Sequence, residues 1–394
     1  MKKIVIGLFL VVGFQLQAQM KSGFEPTEAR DMIQLCNSFG YLDLYGSDTE
    51  ILPVGYEKVY TSPSLGMDNK FQVYKKGNKG AIVFRGTTSN MLSFMENFYA
   101  AMLPVKGTIK IKGEKFKYQM GENANSSIHA GYTLAIGYMK SELLHQINEL
   151  NRQGVYDIFI TGHSQGGALA TLVRAYFNYV PDKELSKKNT FKVYAFANPM
   201  VGNATFAKEY DANFCTPQMS YSIHNPKDFV TKLPVSKADA AFWENNTELL
   251  AGGNERMGAL SAFLGGAGTM FKGRIVEMAK TMAIQIEKML QNSLGNFVMP
   301  QFKDEFDYVH ESNIVEISTT EYPLELKDSS VLQNDSILKT RDANGIFPNK
   351  DLYKPTNSFL QHKPYNYYTA LLKDYFPEEY QALKQKYFVM PEKK

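Results

Sequence analysis

The chain has 394 residues, of which 44% are hydrophobic and 21% charged. This is ordinary globular composition, with enough length to bury the core of one large or two modest domains. The formal net charge is +3, and it falls to +1 without the two lysines of residues 1–18. A charge this small does not indicate a polyanionic partner, so we expect no nucleic-acid ligand.

The first eighteen residues have the pattern of a secretory signal peptide. Lys2 and Lys3 precede an apolar run at 4–14, and Ala18 provides a small residue for cleavage. The apolar run is shorter than the about 20 residues that a helix needs to cross a bilayer core, which favours cleavage over a membrane anchor. We therefore expect export, to a periplasm or to the outside, and no stable transmembrane segment.

Cys36 and Cys215 are the only cysteines of the chain. In an exported protein they could form one disulfide, or both could be buried as small apolar side chains. The sequence does not choose between these two states.

Strands and helices alternate through the first two thirds of the chain. Apolar patterns predict strands at 58–61, 71–75, 80–84, 157–161, 192–197 and 219–224. Helical spacing occurs at 27–36, 132–151, 167–179 and 203–213. The alternation predicts an α/β sheet covered by helices. Beyond Pro234 the sequence turns rich in Gly, Ala and Met, and we expect a helical insertion at about 237–300.

Ser164 sits where a predicted strand breaks and a predicted helix begins. Gly162 and Gly166 flank it in a Gly-x-Ser-x-Gly pattern. A nucleophilic serine at such a turn projects its hydroxyl into the open only if its neighbours carry little side chain. The N-terminus of the following helix then favours developing negative charge. The pattern indicates a nucleophile elbow; the alternative is a glycine-rich turn without chemistry.

Five motifs in order resemble the class 3 (fungal-type) lipases of the α/β hydrolases. They are AIVFRGTTS (81–89), IHAGY (128–132), GHSQGG (162–167), VYAFANPMVGNATFA (193–207) and HNPKDFVTKLP (224–234). The resemblance covers about 71–234 and resumes near His362, and it departs from the family at Met200, where Arg is usual. It implies an α/β-hydrolase fold over residues 19–394, with a central mostly parallel sheet, helices on both faces and a helical insertion or cap.

Serine catalysis also needs a base and an acid, which α/β hydrolases carry in the chain order Ser, Asp or Glu, His. Asp228 follows a predicted strand, in the loop to which the resemblance assigns the acid. Of the six histidines, that order leaves His310 and His362. The resemblance favours His362, in FLQHKPYNYYTALLK, because the family's terminal histidine precedes a short aromatic helix.

The oxyanion donors are expected on two segments. The residue after the nucleophile supplies one backbone amide, here that of Gln165, and the resemblance assigns the second donor to Thr87. Arg85, at the end of a buried strand, is expected to be an ion-pair partner. We expect His163 to pack against the pocket or tune it, and the resemblance implies a structural role for His129.

The resemblance predicts a lid between residues 88 and 128. Its apolar stripe comprises Met91, Leu92, Met95, Phe98, Tyr99 and Met102, with Glu96 and Asn97 off the stripe. Such a helix could open at a lipid surface, with transient contact there, or simply belong to the core. The insertion, with Met270, Met278, Met282 and Met289, poses the same choice among a second cap, an acyl tunnel and extra core.

These features predict hydrolysis of carboxylic esters of lipids through an acyl-enzyme, with Ser164, Asp228 and His362 as the catalytic triad. This chemistry needs no metal or cofactor. Two other hypotheses stay open: a phospholipase or acyltransferase on the same scaffold, and an inactive relative that binds a lipid or another partner. The sequence does not define the oligomeric state or the chain-length preference.

Overall fold

The computed structural model describes residues 20–234, 275–343, 345–354 and 358–389. The predicted signal peptide and the 237–274 part of the predicted insertion, with Met270, lie outside the described residues. None of the helices in the described ranges is long and apolar enough to cross a membrane.

A seven-stranded sheet forms the centre of the molecule. The described strands are β1 (Glu57–Thr61), β2 (Phe71–Lys76), β3 (Lys79–Phe84), β4 (Met102–Pro104), β5 (Lys106–Ile111), β6 (Glu114–Gln119), β7 (Ser127–His129), β8 (Asp157–His163), β9 (Thr190–Phe196), β10 (Ser220–His224), β11 (Phe297–Val298) and β12 (Ile314–Glu316). The central order is β1-β2-β3-β8-β9-β10-β12. Within this sheet, β3, β8, β9, β10 and β12 run parallel, and β1 and β2 are antiparallel additions.

Helices cover both faces of this sheet. The described α-helices are α1 (Pro26–Tyr45), α2 (Met91–Phe98), α3 (Ala130–Arg152), α4 (Gln165–Tyr179), α5 (Ala204–Tyr210), α6 (Ile275–Leu294), α7 (Asp335–Leu338), α8 (Pro364–Tyr375) and α9 (Pro377–Ala382). Helices α1 and α8 pack on one face, and α3 and α4 pack on the other. The predicted fold class, a mostly parallel sheet between helical layers, is confirmed.

Alternate side chains along each strand point to opposite faces of the sheet and so join different cores. In β3, Ala81 and Val83 join the core under α1 and α8, whereas Ile82 and Phe84 join the core under α3 and α4. The parallel strands are buried on both faces, so they read as continuous apolar runs rather than as alternating ones. This burial explains why the predicted strands at 80–84, 157–161, 192–197 and 219–224 overlap β3, β8, β9 and β10. The predictions at 58–61 and 71–75 also overlap observed strands, the antiparallel β1 and β2.

The segment expected to form a lid is mostly sheet. Helix α2 has eight residues, and β4, β5, β6 and β7 follow it. Strands β5 and β6 form a hairpin, extended by β11, that buries Ile109, Phe116 and Tyr118 against the α3 and α4 core. Lysines alternate with apolar residues along the hairpin, which is the pattern of half-buried strands, and the prediction of a lid overlooked it.

The described part of the predicted insertion is extra core. Helix α6 contributes Ala283, Ile286 and Leu290 to the α3 and α4 core, and the Tyr99 hydroxyl donates to Glu287 at 3.1 Å. Met278 and Met289 are exposed. The structure thus places residues 275–294 beside α2 rather than over a cavity.

Both cysteines are free and buried, and they lie in different cores. The Cys36 sulfur contacts the Thr161 hydroxyl at 3.5 Å in the layer under α1, while Cys215 lies in the layer under α4. Of the two states left open by the sequence, the structure has the small apolar one.

Candidate active site

Ser164 occupies a sharp turn between the last residue of β8 and the first residue of α4. Its φ is 60° and its ψ is −130°, a backbone conformation that residues other than glycine rarely adopt. The Ser164 N–H donates to the carbonyl of Phe196 in β9 at 2.9 Å, and its own carbonyl accepts from Gly167 at 2.8 Å. These bonds hold the strained turn against β9 on one side and against the first turn of α4 on the other.

The two glycines of the elbow are required by close backbone contacts. A Cβ atom at Gly162 would lie 2.2 Å from the carbonyl oxygen of Gly166. A Cβ atom at Gly166 would lie 2.3 Å from the carbonyl oxygen of Phe84, at the end of β3. The start of α4 therefore approaches the sheet more closely than any side chain permits.

The structure brings Ser164, His362 and Asp228 into one hydrogen-bonded chain. The Ser164 Oγ is 2.8 Å from His362 Nε2, and His362 Nδ1 is 2.7 Å from Asp228 Oδ2. All three residues are buried to at least nine tenths. Because a carboxylate only accepts, the Nδ1 atom carries the proton and Nε2 accepts from the serine hydroxyl.

The Asp228 carboxylate is held by two further donors. The Tyr367 hydroxyl donates to Oδ2 at 2.7 Å, and the Val230 N–H donates to Oδ1 at 3.0 Å. Burial, followed by the Asp228 charge, raises the pKa of Tyr367 well above its usual value, so this hydroxyl stays protonated. The Tyr367 hydroxyl oxygen also accepts from the Asn225 N–H at 3.1 Å. Sequence reasoning missed Tyr367, although it lies in the aromatic helix expected after His362.

The loop that carries His362 is tied to the loop that carries Asp228. His362 ends a 3₁₀ turn, Ser358–His362, just before α8. The preceding residue, Gln361, accepts from Asn225 Nδ2 at 2.8 Å and donates to the Thr320 carbonyl at 2.8 Å. The imidazole is therefore positioned from both neighbouring loops.

Helix α2 connects the two residues expected to supply the oxyanion donors. The Ser93 hydroxyl donates to Gln165 Oε1 at 3.1 Å and accepts from the Thr88 N–H at 3.2 Å. The Asn97 amide donates to Thr87 Oγ1 at 3.0 Å. The Gln165 N–H begins α4, where backbone donors have no acceptor within the helix. The helix expected as a lid thus holds the Thr87 loop against the elbow.

The other histidines and Arg85 have surroundings that fit packing roles. His163 lies 4.7 Å, centroid to centroid, from the His362 ring, and burial and that ring hold its pKa well below normal. His129 is the N-cap of α3 and accepts from the Tyr132 N–H; burial lowers its pKa to about 3. His310 Nε2 contacts the Thr231 carbonyl, away from Ser164. Arg85 pairs with Asp68 at 3.0 Å, the ion pair that the sequence predicts.

A cavity of about 870 Å³ opens beside Ser164 and His362. Apolar side chains dominate the wall, and they come from α1, α2, the loop after β10 and the chain around His362. They include Phe39, Leu44, Phe84, Phe94, Phe98, Tyr132, Phe229, Val230, Leu233, Phe359 and Phe388. A space of this size suits an extended apolar ligand. Within the described ranges no group of three or more His, Cys, Asp or Glu side chains could hold a metal ion.

Residues 81–238 match the family model described as Lipase (class 3). Over this segment the chain is similar to the class 3 lipases. It contains Ser164, Asp228, Thr87 and Gln165, whereas His362 lies beyond it. The fold around this segment is an α/β-hydrolase fold, with the elbow at the end of a central parallel strand.

Curated relatives are 27% identical to this chain over the stretches that align. A lipase from Caenorhabditis elegans is 27% identical over 161 residues, which are 41% of this chain and 39% of that protein. A secreted mono- and diacylglycerol lipase from Fusarium solani is 27% identical over 142 residues, 34% of this chain and 39% of that protein. The chain thus spans about two fifths of the length of these relatives.

Among solved structures, a triacylglycerol lipase whose catalytic centre is formed by a serine protease triad is 21% identical. That match covers 56% of this chain and 78% of that one, with a TM-score of 0.41. A Rhizomucor miehei lipase in complex with its propeptide is also 21% identical, covers 56% of this chain and 67% of that one, and has a TM-score of 0.40.

Helix α2, within the segment that matches the family model, buries a carboxyl group. Glu96 of α2 is fully buried, although the sequence predicts it off the apolar stripe. The Asn69 amide donates to its Oε2 at 2.7 Å. Burial raises the pKa of Glu96 to about 8, against the opposing effect of the Asn69 and Gln165 amides. The prediction was wrong because α2 is covered on two sides, by α3 and by the elbow.

This raised pKa makes stability fall as pH rises. The folded protein keeps a proton on Glu96 that the unfolded chain releases near pH 4.5. Between about pH 5 and 8, the contribution of Glu96 to the free energy of unfolding then falls by about 1.4 kcal/mol for each pH unit. We expect Glu96→Gln to lose this pH dependence, so that the variant gains stability relative to wild type between those pH values in urea unfolding.

The control for this prediction is Glu57→Gln, which changes an exposed carboxylate at the start of β1. It should leave the pH profile as in wild type. A stability difference between Glu96→Gln and wild type that stays constant with pH would show that Glu96 is ionised in the folded protein.

Proposed function

We propose that the chain is a serine carboxylester hydrolase that acts on lipid esters by a Ser164, His362 and Asp228 triad through an acyl-enzyme. The observation that carries the proposal is the hydrogen-bonded chain from Ser164 Oγ through His362 to Asp228, at the wall of an apolar cavity. The order of the three residues along the chain is the order of α/β hydrolases.

In the first step, His362 Nε2 removes the Ser164 hydroxyl proton as Oγ attacks the ester carbonyl. The Asp228 carboxylate accepts from Nδ1–H, which fixes the imidazole tautomer and stabilises the imidazolium that forms. The imidazolium then donates its proton to the alkoxide leaving group, and an acyl-enzyme on Ser164 remains. Water, deprotonated by the same Nε2, releases the acid and restores the serine.

The oxyanion of each tetrahedral intermediate is stabilised by the backbone N–H of Gln165, with Thr87 as the second donor. Two bonds support this geometry, because Asn97 holds the Thr87 hydroxyl and Ser93 holds the Gln165 side chain. Removal of one oxyanion donor commonly costs on the order of 3 kcal/mol in the barrier. Asn97 and Ser93 would therefore act on the rate through the two residues that they position.

The apolar wall of the cavity supports an acyl chain as the part of the substrate that enters it. Burial of methylene groups against the aromatic side chains of α2 and the His362 segment would supply binding energy of about 0.8 kcal/mol for each methylene. The relatives, which include a lipase and a mono- and diacylglycerol lipase, agree with lipid esters as the substrate class.

The test is hydrolysis of nitrophenyl esters of graded acyl length by the purified protein and four variants. We expect Ser164→Ala, Asp228→Asn and His362→Ala each to lower kcat by at least about a thousandfold. His145→Ala is the matched control, since this exposed histidine on α3 pairs with Glu149 and lies outside the cavity. It should retain wild-type kcat.

Each outcome of this test is decisive. Full activity of Ser164→Ala would remove the nucleophile and with it the proposed mechanism. A wild-type protein that is inert on every ester and every lipid offered would favour a binding role for the cavity. Acyl transfer to an added alcohol in preference to water would make the enzyme an acyltransferase on the same triad.

We further propose that the chain is exported and that residues 19–394 form one hydrolase domain. The support is the signal-like pattern of residues 1–18, together with a Fusarium solani relative that is named as secreted. N-terminal sequencing of the protein recovered outside the cytoplasm of expressing cells should begin after Ala18. A recovered protein that retains Lys2 and Lys3 would contradict cleavage.

A further inference from the structure

The cavity beside Ser164 contains charged side chains that an apolar acyl chain does not need. Arg85 and Asp68 both line it, and they neutralise each other at 3.0 Å. Asp43 lies exposed at the α1 side of the wall. The fourth charged residue is Lys363, which directly follows His362 along the chain.

The Lys363 ammonium has aromatic neighbours but no anionic one. Its Nζ lies 5.3 Å from the ring centroid of Phe359 and 5.3 Å from that of Phe388. Both rings also line the cavity. Among the residues that the structure describes, Nζ makes no ion pair and no hydrogen bond. The charge of Lys363 is therefore free to meet a ligand in the cavity.

The surroundings of Lys363 do not favour a cation on their own. Burial lowers the pKa of its ammonium, and the residue is the N-cap of α8, where the helix dipole repels positive charge. The aromatic faces offset only part of this cost. A cation kept at such a place is most stable when an anion completes its surroundings.

The charge of Lys363 also reaches the catalytic histidine cluster. It is one of the causes, after burial and His362, that hold the pKa of His163 low, and the His163 ring packs on His362. Lys363 thus lies within electrostatic range of the reacting atoms, so it can select among substrates by the charge that they carry near the ester.

We propose that Lys363 binds an anionic oxygen group of the substrate, a phosphate or a carboxylate, carried close to the scissile ester. The preferred substrates are then lipid esters with a negatively charged head rather than neutral glycerides. This inference rests on the proposed esterase function and names its substrate class. The two sources of the anion share one chemistry, which is a charge-assisted contact to the ammonium.

The test compares charged and neutral esters with the same acyl chain, at concentrations at which they are monomeric. One pair is the decanoyl monoester of glycerol phosphate and that of glycerol. The other pair is the decanoyl ester of glycolate and that of glycolamide. The measured quantity is the ratio of kcat/KM for the charged ester to kcat/KM for the neutral ester of each pair.

We expect wild type to favour the charged ester in at least one pair, and the favoured pair identifies phosphate or carboxylate. Lys363→Gln should lower that ratio about tenfold, and Lys363→Arg should keep most of it. Lys117→Gln is the matched control, because this exposed lysine of β6 lies outside the cavity. In the unmutated protein, added salt should also lower the ratio.

Several outcomes would overturn the inference while the proposed function stands. The first is a wild-type protein that hydrolyses the neutral esters and shows no higher kcat/KM for either charged ester. An equal ratio in wild type and in a folded Lys363→Gln variant is the second. If Lys363→Gln does not fold, a ratio in wild type that does not change with salt serves instead. Failure of wild type on all four esters would count against the proposed function itself.

Discussion

The strained turn at Ser164 is the constraint on which the rest of the site depends. A non-glycine residue at φ 60° costs on the order of 1–3 kcal/mol and persists only where its surroundings hold it. Here the backbone of β9 holds it from one side, and the start of α4 is pressed against β3 from the other. The turn places the serine hydroxyl at the C-terminal end of the central strand β8. The first N–H groups of α4, which begins here, have no acceptors within the helix.

The second requirement is that distant segments meet at this turn. His362 follows Asp228 by 134 residues, yet their side chains are 2.7 Å apart. Packing of α8 on α1 brings the C-terminal segment to the sheet, and Tyr367 and Gln361 then fasten it to the Asp228 loop. Asn225, Gln361 and Tyr367 each bond to a group from another segment, so the position of the imidazole follows from the packing of the whole α1 and α8 layer.

Much of the central sheet and the elbow could be predicted from sequence because their signals are local. The two glycines that flank Ser164 indicate a turn too tight for a Cβ atom, and this signal lies within five residues. Buried parallel strands appear in the sequence as continuous apolar runs. The structure brings Asp228 and His362 together at the elbow, as chain order and family resemblance suggest.

Other features depend on contacts that no local pattern carries. Helical periodicity places Glu96 on the outside of α2, but α2 is enclosed by α3 and the elbow, so a second face is buried. Strand β12 has three residues and exists through its pairing with β10. Tyr367 matters through one hydroxyl, which composition does not distinguish from the tyrosines beside it.

The most direct test of the central claim is covalent labelling with an alkyl fluorophosphonate, followed by peptide mapping by mass spectrometry. A serine activated by His362 and Asp228 should carry a single adduct at Ser164, formed far more slowly in the His362→Ala variant. No adduct at Ser164, or an adduct formed equally fast without His362, would contradict nucleophilic catalysis at this turn.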